Sequence, residues 1–176
     1  MISCQNERSL DFYYVSFGKY NDYEGSDTLL IKQDIKISKD LYEISYNLRK
    51  DTDSVVRKYS LSINTPVKCR FTINNNVSED FHFYMDTIIQ IDKGQRLKIS
   101  EYILNEGIID GASLHYWTPE YGIFLIRSTT WPSVTIMQTN DSTLNRQLLS
   151  LVESSLSKKE RKFFLRGRLM EMINDK

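Results

Sequence analysis

What this chain of 176 residues has little of narrows its class before any motif is read. Only two cysteines occur, Cys4 and Cys69, too few for a disulfide framework. A reduced, cytoplasmic chain is expected, with Cys69 in the core. The first residues, from Met1 to Arg8, lack a basic stretch leading into an apolar run, so no secretory signal is read there. Without secretion the Asn-x-Ser sequons at Asn76 and Asn140 carry no meaning. No apolar run approaches the roughly 18 residues of a membrane span, and no membrane partner is expected. The seven glycines are scattered, and none forms a phosphate-cradling loop or a dinucleotide fingerprint. Neither Cys-x-x-Cys nor His-x-x-x-His is present, so no metal or cofactor is expected.

Charge of one sign is also missing, because 23 basic residues balance 23 acidic ones. That balance hides an asymmetry. Between residues 158 and 176 stand seven basic residues against three acidic ones, which leaves the rest of the chain with four more acidic than basic groups. A strongly basic surface is therefore confined to the tail.

What is present is a core. Hydrophobic residues make up 40% of the chain and aromatics 12%, ample for a packed domain and too much for a disordered one. Leu29, Ile31, Ile35 and Ile37 recur at period two, with Lys32, Asp34 and Lys36 between them. After a Ser38-Lys39-Asp40 turn, Tyr42, Ile44, Tyr46 and Leu48 do the same. Such alternation predicts strands with one face in water. Further runs at Leu10–Phe17, Val55–Ile63, Val67–Ile73, Phe81–Ile91, Tyr121–Arg127 and Ser133–Gln138 follow one another through short turns, which predicts a meander. Across Ser100–Glu106 the spacing of Tyr102 and Ile103 before Gly107 suggests a short helix.

From Asp141 the period changes. Leu144, Leu148, Leu151 and Val152 fall at helical spacing, and Asp141 or Ser142 is placed to cap the start. Ser157-Lys158-Lys159-Glu160 fits a capping box opening a second helix. The expected fold is α+β: a single domain over residues 1–176, with six to eight antiparallel strands in residues 1–140. Two helices in residues 141–176 then pack on the sheet.

Candidate sites are few. His115, Tyr116, Trp117, Glu120 and Tyr121, with Trp131 from the neighbouring loop, form the richest aromatic cluster and are read as interface anchors. Asp22, Glu24 and Asp27 gather on a polar loop around Gly25 without calcium-loop spacing, and would present negative charge to a basic partner. His82, between Phe81 and Phe83, lies on the opposite strand face, where Asp80 or Asp86 can orient it as a base. No activated nucleophile stands nearby. Lys158, Lys159, Arg161, Lys162, Arg166 and Arg168 are spread around a helix rather than gathered on one stripe, unlike a recognition helix.

By elimination, the sequence points to a non-catalytic cytoplasmic protein that binds another protein. The form favoured is an immunity or antitoxin-type protein occluding the active site of a basic, nuclease-like toxin. An adaptor or secretion chaperone is one alternative. Nucleic-acid binding through the basic C-terminal helix is another, and an enzyme built around His82 or His115 a third.

Overall fold

In a computed structural model of the chain, the residues described are 6–18, 29–38, 40–50, 53–62, 64–78, 80–90, 96–130 and 133–157. Eleven strands precede one helix. They are β1 (Asn6–Gly18), β2 (Leu29–Ser38), β3 (Leu41–Lys50), β4 (Asp53–Ser62), β5 (Cys69–Ile73) and β6 (Asn76–Ser78), then β7 (Phe81–Gln90), β8 (Arg96–Leu104), β9 (Ser113–Thr118), β10 (Gly122–Ser128), β11 (Ser133–Gln138) and α1 (Ser142–Ser155).

All the ladders are antiparallel, and the order is β6-β5-β4-β3-β2-β1-β11-β10-β9-β8-β7. This is the expected meander with one addition. The first strand pairs with the last, Tyr14 opposite Met137 and Ser16 opposite Thr135, so the two halves of the chain join at their termini. The free ends of the ladder are β6 and β7, the strands in the middle of the sequence.

The sheet curls until its arms face one another. On β3, Tyr46 Oη accepts from the Ile123 amide of β10 at 3.1 Å. On β2, Gln33 reaches across to the turn before β10, its Nε2 donating to the Tyr121 carbonyl at 3.4 Å. At the seam the Phe71 and Phe81 rings lie 5.5 Å apart, and Cys69 Sγ donates to the Phe81 carbonyl at 3.8 Å. Cys69 is half-buried at this seam, and burial pushes its thiol pKa up.

Helix α1 closes the outer side of β10 and β11. Its buried residues Leu148, Leu151 and Val152 recur at helical spacing, and Leu156 seals its end. Asp141 is the cap, its carboxylate accepting from the Thr143 and Leu144 amides at 2.8 and 3.1 Å.

Three expectations need correction or limit. Among the described residues the strand count is eleven rather than six to eight. β6 is only three residues long, too short to show a period. The segment read as a helix across Ser100–Glu106 is mostly β8. Residues Ile99 through Ile103 are all buried, because this strand is covered on both faces, and continuous burial removes the alternation that marks a strand. β9, with five consecutive buried residues, was hidden for the same reason. One C-terminal helix is seen, and the second falls at 158–176, outside the described residues.

Candidate functional site

β9 carries His115 into the interior, where the strand period aims it at the opposite arm. Its Nδ1 lies 3.1 Å from Tyr59 Oη on β4, and its Nε2 lies 3.0 Å from Ser113 Oγ. Around this polar line stand the rings of Phe71 and Phe81, at 6.2 and 5.8 Å from the imidazole. Tyr59 itself packs on Tyr46, Phe71 and Phe81.

Burial, with the positive charge of Arg57 nearby, pulls His115 from 6.5 down to about 3. Burial also pushes the Tyr59 hydroxyl far up, so at neutral pH both groups are uncharged. A Ser–His contact is one ingredient of nucleophilic catalysis. A general base works best with a pKa near the operating pH, and one at about 3 takes no proton from serine at neutrality. The line therefore satisfies polar groups in a sealed core.

Arg57 shares a strand face with Tyr59, two residues away. Its side chain is half-buried, and its Nε is buried with no hydrogen-bond partner among the described residues. Two other buried donors, Tyr102 Oη and Trp117 Nε1, also have no partner among them.

The aromatic cluster expected at the surface lies in the core. His115, Tyr116 and Trp117 are only 2–3% exposed. Trp117 meets Tyr42 edge to face at 5.2 Å, and Tyr116 packs near Phe124 on the other side of the sheet. These rings are part of the packed core. Glu120 is exposed and Tyr121 half-buried, its hydroxyl donating to Gln147 Oε1 of α1 at 3.2 Å. Asp22, Glu24, Asp27 and Trp131 lie outside the described residues, as do Lys158, Lys159, Arg161, Lys162, Arg166 and Arg168. His82 is exposed and pairs with Glu106 at 2.8 Å, not with Asp80 or Asp86. This contact is open to solvent on both sides.

The surface that stands out instead is the outer margin of β7. Among the described residues its single ladder partner is β8, so beyond the seam, where Cys69 meets the Phe81 carbonyl, its other edge offers unpaired backbone groups. Tyr84 is the extra residue of a β-bulge opposite β8, where the register shifts between Phe83 and Met85. From the bulge onward three apolar side chains face water: Tyr84 at 51%, Met85 at 43% and Ile88 at 67% exposed. Beside them Asp86 is neutralised, bonded to Lys98 at 2.7 Å and accepting from Ser100 Oγ at 2.7 Å.

Sequence reading passed over this margin because it treated Phe81–Ile91 as an ordinary strand. A signal was present. From Phe83 to Ile89 the apolar residues break alternation, as a bulged edge strand does.

No group of three or more metal-binding side chains is found among the described residues, and no helix there is long and apolar enough to cross a membrane. Comparison of the chain with protein-family models, curated proteins and solved structures gave no match.

Proposed function

We propose that this is a non-catalytic protein-binding protein that captures an extended segment of its partner along the free edge of β7. The observation that carries this reading is the coincidence of an unpaired strand edge with exposed Tyr84, Met85 and Ile88. An open, apolar edge is a liability that folded proteins normally blunt with charge, proline or a covering element. Here a bulge bends the strand, yet the apolar side chains remain outside. Strand addition to such an edge gives affinity through main-chain hydrogen bonds and selectivity through side chains on alternate positions.

Charge defines the occupant further. The only carboxylate on β7 is paired with Lys98, and His82 is paired with Glu106. A segment laid on this edge thus meets a near-neutral, apolar surface, which favours an uncharged strand rich in β-branched or aromatic residues. Neutralising a toxin by covering its active site is the narrower form of this reading. It rests on the acidic loop of Asp22, Glu24 and Asp27, and on steering by charge.

Selection from a displayed library of random peptides tests the proposal. The peptides recovered should be uncharged, alternate apolar residues, and lose at least tenfold in affinity for Ile88→Lys while still binding Arg146→Glu, altered on α1. Selected peptides indifferent to Ile88→Lys would overturn it.

A further inference from the structure

Arg57 is a half-buried cation with no ion pair resolved among the described residues. It stands on β4 one strand repeat from Tyr59, so both side chains project from the same face. That face is the interior one, because Tyr59 Oη meets His115 of the opposite arm. Unlike Tyr59, Arg57 is only half-buried, and Ile73, directly across from it on β5, is exposed. The interior therefore opens to solvent at this level and is sealed one level deeper.

Arg57 takes part in neither of the contacts resolved between charged groups, His82 with Glu106 and Lys98 with Asp86. Its Nε is out of water and has no hydrogen-bond partner among the described residues. Removing a guanidinium donor from water without a hydrogen bond is costly, and the cost disappears if an anionic acceptor arrives.

We propose that Arg57 binds the carboxylate of a small organic acid with an apolar body. Two features select that class. One guanidinium matches one negative charge, and its planar fork suits the two oxygens of a carboxylate. Val55 and Ile73 flank Arg57 on the same face, offering apolar surface to the rest of the molecule. This site is separate from the β7 edge and does not depend on the protein-binding reading.

The test is calorimetric titration of the full chain with octanoate, octanol and inorganic phosphate. Octanoate should bind at least tenfold more tightly than octanol, and phosphate more weakly than octanoate. Arg57→Gln should reduce octanoate affinity tenfold or more, with Arg57→Lys recovering part of it. Equal binding of octanoate and octanol to the unmodified protein would overturn the proposal, even if the variants fail to fold. Tighter binding of phosphate would overturn the carboxylate assignment. Undiminished octanoate affinity in a folded Arg57→Gln protein would place the ligand elsewhere.

Discussion

Tyr59 and His115, 56 residues apart in sequence, are joined by a 3.1 Å hydrogen bond between the two arms of one continuous sheet. The bond survives inside an aromatic core because neither group carries charge at neutral pH. That condition has a direction. The folded protein holds the imidazole neutral down to about pH 3, whereas the unfolded chain takes up the proton near 6.5. The unfolded state therefore binds more protons between these limits.

Stability is accordingly full above pH 6.5 and declines as the pH falls towards 3. At ~1.4 kcal/mol per unit, the window accounts for a loss on the order of 5 kcal/mol. Urea denaturation at pH 7 and pH 4.5 should show a smaller loss for His115→Phe than for the unmodified protein. Equal losses in the two proteins would mean that His115 is not the group responsible.

Gly122 and Gln33 should be coupled. Gly122 has φ +75°, and a methyl added there would sit 2.7 Å from Gln33 Oε1. Gly122→Ala should destabilise the fold by about 2 kcal/mol, from backbone strain and the collision together. Combining it with Gln33→Ala removes the collision but leaves the strain. The double variant should thus be more stable than additivity allows, by about 0.5 kcal/mol or more. Thermal or urea unfolding of the four proteins checks this.

Asp141 should contribute to α1 in the ordinary way of a cap. Asp141→Ala leaves the Thr143 and Leu144 amides without their acceptor and should cost about 1 kcal/mol in unfolding free energy. Asp141→Asn or Asp141→Ser should restore most of it.

Wherever one sheet face meets water, the strands could be read directly. Ile35, Tyr42, Ile44 and Tyr46 are all buried, as their alternation predicts. Likewise the helix after Asp141 shows its cap and its seam of Leu148, Leu151 and Val152 in the residues themselves. Legibility ended where burial covers both faces. Ile99 to Ile103 and Leu114 to Thr118 form runs of buried residues, so β8 and β9 lost their period.

The same physics misdirected the site. His115, Tyr116 and Trp117 look like interface anchors by composition, and no local signal distinguishes an aromatic facing a partner from one facing the opposite arm. Only the long-range pairing of β1 with β11, and the curl it accompanies, decides between them. Arg57 was invisible for a complementary reason. Its neighbours Lys58 and Tyr59 give no hint that β4 turns one cation inward while Lys58 stays exposed, its Nζ donating to Asn75 Oδ1 at 3.3 Å.

Ile88→Lys and Tyr84→Lys should leave stability within about 0.5 kcal/mol of the unmodified protein, because both side chains already face water. Either change should nevertheless abolish capture of a strand-adding peptide. Loss of binding through unfolding would instead appear as a lowered denaturation midpoint.

The most direct measurement is amide hydrogen exchange along β7, alone and with a selected peptide bound. Alternate amides between Tyr84 and Gln90 should exchange rapidly in the free protein, because one edge of the strand is unpaired. Those amides should become protected when the peptide adds to the edge, with little change in β3 or β4. Protection of every β7 amide in the free protein, or peptide-induced protection confined to another strand, would contradict the account.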